Sequence, residues 1–161
     1  TNMEQAQALG IPCGTYWFSY ATTTEDAERE AEVCYQVIKD FKFELPVFFD
    51  IETDAQRDCS AATVSGIIET FCSILEAKGY FVGIYSNVNF LNTKVYTQTL
   101  EKYTVWIAHY TDKSEPLYQN PYGIWQYTQT GKVNGINGNV DMNYSYKDYP
   151  KIIKKNKLNG F

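Results

Sequence analysis

The amino-acid sequence predicts an α/β fold, a (β/α) barrel built on a mostly parallel sheet. Short apolar runs of strand length alternate along the chain with longer segments of helical character. The strands are apolar almost throughout, which is typical of parallel strands covered by helices. Polar residues gather at the carboxyl ends of these strands, and no glycine-rich phosphate loop follows a strand. Both observations favour a barrel over an open doubly wound sheet.

The first quarter of the chain predicts a short helix, a strand and a long helix. The short helix covers 3–9 and ends at Gly10, a residue that commonly terminates helices. The apolar run at 11–20 predicts a buried strand. Hydroxyl side chains at 22–24, followed directly by acidic residues, are typical of a helix N-terminus, so a helix is expected from there to about Phe41.

The rest of the chain continues the alternation of strands and helices. Ser60 is a suitable N-cap for the next helix, and Gly79 a suitable end. Glycine and asparagine in the last segment predict turns between two final strands. The predicted elements are, in order, strand 45–52, helix 60–79, strand 80–87, one or two helices in 87–103, strand 102–110 and two strands in 123–145.

Composition and charge predict one domain over residues 1–150 and a basic tail or linker over 151–161. Five of the fourteen basic residues lie in the last fifteen positions with a single aspartate, so this end carries +4 and the remainder −9. The acidic body argues against a nucleic-acid partner, because phosphate binding needs a basic stripe. The basic end fits either contact with an anionic cell wall or a solvated linker.

Other sequence features bear on membranes, processing and cysteine chemistry. No window approaches 18 consecutive apolar residues, so no membrane span is predicted. No signal peptide is visible, and the opening residues resemble the end of an amphipathic helix, so the N-terminus is expected to be truncated. The cysteines lack CxxC spacing, which disfavours zinc or redox motifs, and buried free thiols are expected. They are Cys13, Cys34, Cys59 and Cys72.

The strongest chemical feature is the pair of carboxylates at the end of strand 45–52. Alternation along a strand places Asp50 and Glu52 on one face, roughly 6 to 7 Å apart. Two acids in a barrel mouth repel, so one of them is expected to have a raised pKa and to hold a proton, as a glycosidase acid requires. Salt bridges or helix caps are the competing explanation for such a pair.

A second group of polar residues lies on the closing hairpin. Trp125 and Gln126 occur on its first strand, and Asp141 and Asn143 share a face of its second strand. The acid and amide could hydrogen-bond a sugar or position Glu52. Ordinary turn chemistry is the favoured explanation for these residues taken alone, because Asn and Asp are common in glycine-rich turns.

Aromatic residues recur at the same level of the other strands, and a ring of them around two acids would form a sugar subsite. Each ring taken alone fits a hydrophobic core. His109, the single histidine, is expected to point away from the Trp106 face and to be structural. The aromatic residues concerned are Tyr16, Phe18, Tyr20, Tyr85, Trp106 and Tyr110.

These segments, in this order and spacing, resemble family 25 glycoside hydrolases, which are lysozymes. The resemblance runs from about Asn2 to Tyr144 and rests on GIPCGTYWFSYA, LPVFFDIE, GYFVGIYSN, VWIAHY and GIWQYTQTGKVNGINGNVDMN. Single motifs are modest, but the ordered set is specific.

The resemblance implies an irregular, TIM-barrel-like fold that cleaves the β-1,4 bond between N-acetylmuramic acid and N-acetylglucosamine of peptidoglycan with retention. It makes Glu52 the general acid/base. Asp50 would support attack by the substrate's own acetamido group, an exception to the two-carboxylate scheme, and Asp141 would be a further active-site carboxylate. No cofactor and no metal are implied. Substrate-binding residues would be Tyr16, Tyr85, Trp106, Tyr110, Trp125, Gln126 and Asn143.

One departure from the family pattern bears on activity. The family domain opens with a strand carrying an Asp-Val-Ser-type motif, and this sequence has no counterpart of it. The barrel is therefore expected to lack its first strand or strands and to expose two sheet edges, which favours self-association.

Three functions remain open from the sequence. The first is a muramidase of the extracellular space or cell wall, as in a secreted bacterial autolysin or a phage lysin. The second is a fragment that binds cell-wall glycan without cleaving it. The third is a metal-dependent polysaccharide deacetylase, which the single histidine disfavours.

Overall fold

The computed structural model describes residues 2–161, and in them six strands form one sheet in the order β1-β2-β3-β4-β5-β6. The strands β1 to β5 are parallel, and β6 runs antiparallel to β5. Because β1 and β6 are the two free edges, the sheet is a curled half-barrel. The strands are β1 (Thr15–Phe18), β2 (Val47–Asp50), β3 (Val82–Asn87), β4 (Thr104–Ala108), β5 (Ile124–Gly131) and β6 (Val140–Ser145).

The mixed α/β class predicted from the sequence is confirmed. Over the described residues, however, the sheet is not closed into a barrel. The helices are α1 (Asn2–Ala8), α2 (Thr24–Ile38), α3 (Asp54–Asp58), α4 (Ala61–Ala77), α5 (Val88–Lys94), α6 (Thr97–Lys102) and α7 (Tyr149–Asn156).

Local sequence explains where the long helices begin and end. Thr23 accepts from the Asp26 backbone N–H, and the Asp26 side chain accepts from the Thr23 backbone, so a capping box starts α2. Ser60 caps α4 in the predicted way. Gly79, with φ +87°, takes the left-handed conformation that follows α4.

The outer face of the sheet holds the main hydrophobic core. α2 and α4 pack on each other, and α4 also packs on β2 and β3. Phe49 of β2 stacks on Phe71 of α4 with ring centroids 4.2 Å apart. Cys34 and Cys72 are buried in this core, whereas Cys13 and Cys59 are only half-buried, and all four are free thiols.

The segment predicted as a basic tail or linker is instead part of the fold. α7 buries Tyr149 and Ile153 against the inner face of the sheet. Asn159, after the helix, is fully buried, and its side chain hydrogen-bonds the chain just before β2 and β3. The prediction was wrong because lysines on the solvent side of α7 outnumber the few apolar residues that anchor it.

Two further elements differ from the sequence prediction, and one agrees with it. The stretch 87–103 forms two helices, which is one of the two predicted alternatives. β1 covers only Thr15–Phe18 rather than 11–20. The short helix α3 was not predicted; Thr53 and Gln56 form its capping box, and the buried Gln56 amide donates to the backbone oxygens of Ser19 and Ala21. No helix in residues 2–161 is long and apolar enough to cross a membrane.

Candidate active site

An open cleft of about 620 Å³ lies on the inner face of the half-barrel, at the carboxyl ends of the parallel strands. In parallel α/β folds this end of the sheet carries the functional residues, because the loops that follow the strands converge there. Carboxylates and aromatic rings make up most of the cleft wall. They include Asp50, Glu52 and Asp141 together with Tyr16, Phe18, Tyr85, Trp106 and Tyr110.

The strand register explains why these residues meet. Phe18 pairs with Asp50, Asp50 with Tyr85, and Tyr85 with Trp106, so these four residues form one row across β1 to β4. Side chains two residues further on point the same way and form the rim of the cleft. Glu52 lies at that level, two residues after Asp50, the last residue of β2.

Asp50 is the buried member of the carboxylate pair. Its side chain is at the floor of the cleft with 6% exposure, and its Oδ1 has no hydrogen-bond partner among the described residues. Burial, and then the negative charge of Glu52, together raise the pKa of Asp50 to about 7. The expectation that one acid of the pair would have a raised pKa is met, and Asp50 is that acid.

Glu52 and Asp141 are more accessible. Glu52 is half-buried and lines the cleft, and its backbone oxygen accepts a hydrogen bond from the Arg57 guanidinium at 3.4 Å. Asp141 of β6 is exposed at the rim of the same cleft. The three carboxylates predicted from the sequence therefore line one cavity, with one buried and two open to solvent.

Two tyrosines and a glutamine form a hydrogen-bonded group in the wall. The Tyr85 and Tyr110 hydroxyls both donate to Oε1 of Gln126, at 2.9 and 2.7 Å. Gln126 is buried, with 2% exposure. Burial, and then the charge of nearby carboxylates, raises the pKa of both phenols.

Trp106 separates the cleft from a second, mostly apolar pocket of about 300 Å³. Its ring packs edge-on against Tyr85 at 4.8 Å and Phe48 at 5.2 Å. Its indole N–H donates to Oδ1 of Asn143 at 2.7 Å. Asn143 lines the second pocket and not the cleft, so it contacts the tryptophan that forms the wall.

Two sequence predictions for the site need correction. Trp125, predicted to bind substrate, is buried in the outer core, where its indole N–H donates to the His109 carbonyl at 2.9 Å. Alternation along β5 gives the reason, because Gln126 faces the cleft and its neighbour must face the opposite way. Tyr20 is 74% exposed and is not among the residues that line the cleft.

His109 has a structural contact, as predicted: its Nδ1 accepts the Leu117 backbone N–H at 3.1 Å. It also borders the cleft together with Trp106, although alternation predicted that it would point away from the Trp106 face.

The sequence analysis missed two polar residues of the cleft. Asn87 ends β3 two residues after Tyr85, so alternation from Tyr85 was a usable signal for it. Its side chain also caps α5 by accepting the Phe90 N–H at 3.0 Å. Gln129 reaches the cleft beyond an irregularity in the β5–β6 pairing, and no sequence pattern marks such an irregularity.

In residues 2–161, no group of three or more His, Cys, Asp or Glu side chains is arranged to hold a metal ion. The polar side chains that line the cleft are carboxylates, phenols, amides and one imidazole. Such a set can exchange protons, accept hydrogen bonds from N–H and O–H groups, and stack rings on sugar faces.

Comparison with known proteins identifies a matching family and several relatives. The model of glycosyl hydrolases family 25 matches residues 1–136. The autolytic lysozyme of Clostridium acetobutylicum is 28% identical over 139 residues, which is 86% of this chain and 41% of that protein. The chain thus spans less than half the length of this curated relative.

Solved structures agree with the sequence comparison. The CTP1L endolysin superposes with a TM-score of 0.80 at 26% identity, covering 96% of this chain and 54% of that one. The autolysin LytC of Streptococcus pneumoniae, solved with a synthetic peptidoglycan ligand, gives a TM-score of 0.77 at 28% identity, covering 88% and 36%. This chain is therefore similar in fold and sequence to proteins named as a lysozyme, an endolysin and an autolysin.

Proposed function

Because the chain belongs to glycosyl hydrolase family 25, we propose that it hydrolyses the β-1,4 bond between N-acetylmuramic acid and N-acetylglucosamine in peptidoglycan, with retention. The observation that carries the proposal is the pair of Asp50 and Glu52 in an aromatic cleft at the carboxyl ends of the strands. One acid is buried and lacks a partner, and the other is half-buried at the cleft wall. Their different surroundings suit them to different roles.

Glu52 is the proposed general acid/base. In the first step its proton passes to the glycosidic oxygen as the bond from that oxygen to the anomeric carbon breaks. In the second step a water molecule attacks the anomeric carbon and gives a proton back to Glu52. Accessibility supports this role, since a group that exchanges protons with substrate and water must reach both.

Asp50 is the proposed partner of the substrate's acetamido group. The acetamido carbonyl oxygen attacks the anomeric carbon as the leaving group departs, giving a cyclic intermediate that carries positive charge on the former amide. The unpartnered Oδ1 of Asp50 can accept the amide N–H, and the carboxylate stabilises the developing charge. Water then attacks the anomeric carbon from the face that the leaving group left, and the bond from that carbon to the acetamido oxygen breaks, which yields the retained configuration.

Asp141 and the wall residues are the proposed substrate contacts. Asp141 is an exposed carboxylate at the rim and can accept hydrogen bonds from sugar hydroxyls. Tyr16 and Trp106 offer ring surface for stacking, Tyr85 and Tyr110 offer phenol oxygens, and Asn143 acts through Trp106. Trp125 is omitted from the proposal because it lies in the outer core.

The product of the reaction tests the proposal. The chain is incubated with purified peptidoglycan, new reducing ends are reduced with borohydride, and the modified sugars are identified by mass spectrometry. We expect reduced N-acetylmuramic acid, because cleavage leaves that sugar at the new reducing end. Proton NMR of the first product should show the β-anomer before mutarotation. Reduced N-acetylglucosamine, or the α-anomer first, would contradict the proposed bond or the proposed retention.

Binding without hydrolysis is the second candidate function, and the open side of the half-barrel favours it. The β1 edge leaves Tyr16 59% and Phe18 39% exposed, so solvent reaches the cleft from the side. Water entering there would weaken the electrostatic interactions that catalysis needs. Saturable binding to peptidoglycan by a folded chain that releases no reducing ends would support this candidate.

We also propose where the chain acts and that it self-associates. Autolysins and endolysins, as those relatives are named, support action at the cell wall. The exposed apolar residues on the β1 edge support self-association of the chain through that edge. Light scattering during gel filtration tests this, with a concentration-dependent rise in mass expected and a constant monomer mass contradicting it.

A further inference from the structure

The side-chain amide of Gln126 connects two tyrosines in the wall of the cleft. Its single carbonyl oxygen accepts hydrogen bonds from two phenols on different parts of the chain. Tyr85 comes from β3, and Tyr110 from the loop after β4. Because a carbonyl oxygen has two lone pairs and no proton, these two bonds occupy both lone pairs.

The direction of both hydrogen bonds follows from this chemistry. A carbonyl oxygen cannot donate, so each tyrosine must use its one hydroxyl proton toward Gln126. Each phenol oxygen still has lone pairs that can accept. Toward a molecule in the cleft, Tyr85 and Tyr110 can therefore act only as acceptors while the arrangement holds.

A small residue on β4 lies between Tyr85 and Gln126. Ala108 of β4 pairs directly with Gln126, and β4 lies between β3 and β5 in the sheet. The methyl group of Ala108 also lines the cleft. A small side chain at this point leaves space for the Tyr85 hydroxyl to reach Gln126 across β4.

The charge of the surroundings explains why an amide suits this position. After burial, which is the largest cause for both phenols, Asp141 and then Glu52 raise the pKa of Tyr110, and Glu52, Asp50 and Asp141 raise that of Tyr85. A carboxylate at 126 could accept the same two bonds but would add another negative charge beside these acids. The neutral amide orients the phenols without that charge.

We propose that Gln126 is a positioning residue that fixes Tyr85 and Tyr110 as paired hydrogen-bond acceptors, so that this wall of the cleft selects N–H and O–H groups of the glycan. The proposal rests on the proposed function of the same cleft. It assigns Gln126 an action through the two tyrosines rather than a direct contact with substrate.

The test replaces Gln126 by Met, which has similar length but no carbonyl acceptor. Tyrosine labelled with carbon-13 at Cζ gives NMR signals that respond to hydroxyl hydrogen bonding. Tyr85→Phe and Tyr110→Phe assign the two signals. In Gln126→Met we expect both signals to move, while Gln98→Met, on the exposed surface of α6, leaves them unchanged.

Binding is measured at the same time with a soluble tetrasaccharide of alternating N-acetylglucosamine and N-acetylmuramic acid. A Glu52→Gln background prevents turnover in every variant. We expect Gln126→Met to weaken binding about tenfold, as loss of oriented acceptors implies, with no change for Gln98→Met. Unmoved tyrosine signals, or unchanged binding, in folded Gln126→Met would overturn the proposal.

The single tyrosine variants extend the test if Gln126→Met does not fold. Tyr85→Phe and Tyr110→Phe each keep a ring but remove one acceptor, so each is expected to weaken tetrasaccharide binding severalfold. Unchanged binding in both would overturn the proposal. Failure of the proposed function is a separate result, because it appears as an absence of peptidoglycan cleavage by the parent chain, whereas these readouts use no turnover.

Discussion

The two ends of the inner face of the sheet differ in whether their buried polar groups have hydrogen-bond partners. At the amino ends of the strands, polar groups are buried and paired: the Thr104 and Tyr149 hydroxyls lie 2.6 Å apart, and the Asn159 side chain makes three hydrogen bonds to backbone. At the carboxyl ends, the buried Asp50 Oδ1 has no partner among the described residues. The first end stabilises the fold, and the second holds groups ready for a ligand at a cost in stability.

The largest effect is expected from breaking the paired end at Asn159. Asn159→Ala leaves the Phe81 N–H and the Phe43 and Leu45 carbonyls without their partner. It also places alanine at φ 54°, which asparagine tolerates better. We expect the free energy of unfolding to fall by about 4 kcal/mol, measured by urea denaturation. Asn156→Ala, exposed on α7, is the control and should change it little. An equal loss in both variants would contradict the assignment.

The second-largest effect on the free energy of unfolding is expected at the carboxyl ends of the strands, and it depends on pH. Asp50 binds its proton more tightly in the folded chain, with a pKa of about 7 against an ordinary 3.8. Its stabilising contribution is therefore complete below about pH 4 and is lost as the pH rises through 7. Relative to Asp50→Asn, the parent should lose on the order of 3 kcal/mol between pH 4 and pH 8.

Thermal and urea denaturation across this pH range measure the difference between the two proteins. Asp54→Asn is a matched control, because Asp54 is an exposed aspartate on α3. If the difference in free energy of unfolding between the parent and Asp50→Asn does not vary with pH, folding does not raise the pKa of Asp50.

A smaller effect is expected at the contact between α7 and the sheet. Tyr149→Phe keeps the buried ring but leaves the Thr104 hydroxyl without this partner. We expect a loss of about 1 to 2 kcal/mol in the free energy of unfolding and no change in tetrasaccharide binding. Weaker tetrasaccharide binding by folded Tyr149→Phe would show that the two ends are not independent.

The smallest effect is expected on the surface of α7. Lys154 Nζ lies 3.8 Å from Glu44 Oε1, and the lysine side chain is 52% exposed. Exposed ion pairs contribute little, so Lys154→Gln should change the free energy of unfolding by less than about 0.5 kcal/mol. A loss above 1 kcal/mol in the free energy of unfolding would contradict this expectation and would show that the basic surface stabilises the fold.

The two ends also differ in how well the sequence predicted them. The carboxylates were found because Asp50 and Glu52 end an apolar strand, where alternation gives their common face. The same rule could not decide between Trp125 and Gln126, since a strand with two covered faces gives no sign of which face is inward. Gln126 was named, but its bonds to Tyr85 and Tyr110 depend on long-range register.

The paired end was missed because its sequence signals are weak. Lysines dominate the composition of 147–157 and hide the few anchoring residues, Tyr149 and Ile153. Asn159 has no pattern that marks it as buried, because its partners are backbone groups distant in the chain. The expectation of two exposed sheet edges came from the family resemblance and not from local patterns, since the pairings of β1 and β6 are long-range.

The central claim is that Glu52 performs proton transfer in a cleft that binds peptidoglycan, and one comparison tests it most directly. Release of reducing ends from purified peptidoglycan is measured for the parent and Glu52→Gln, with binding of the tetrasaccharide and thermal stability recorded for both. We predict that Glu52→Gln loses about a thousandfold in rate while it still folds and binds the tetrasaccharide. Equal rates in the two proteins would contradict the claim, and so would no release from a folded parent.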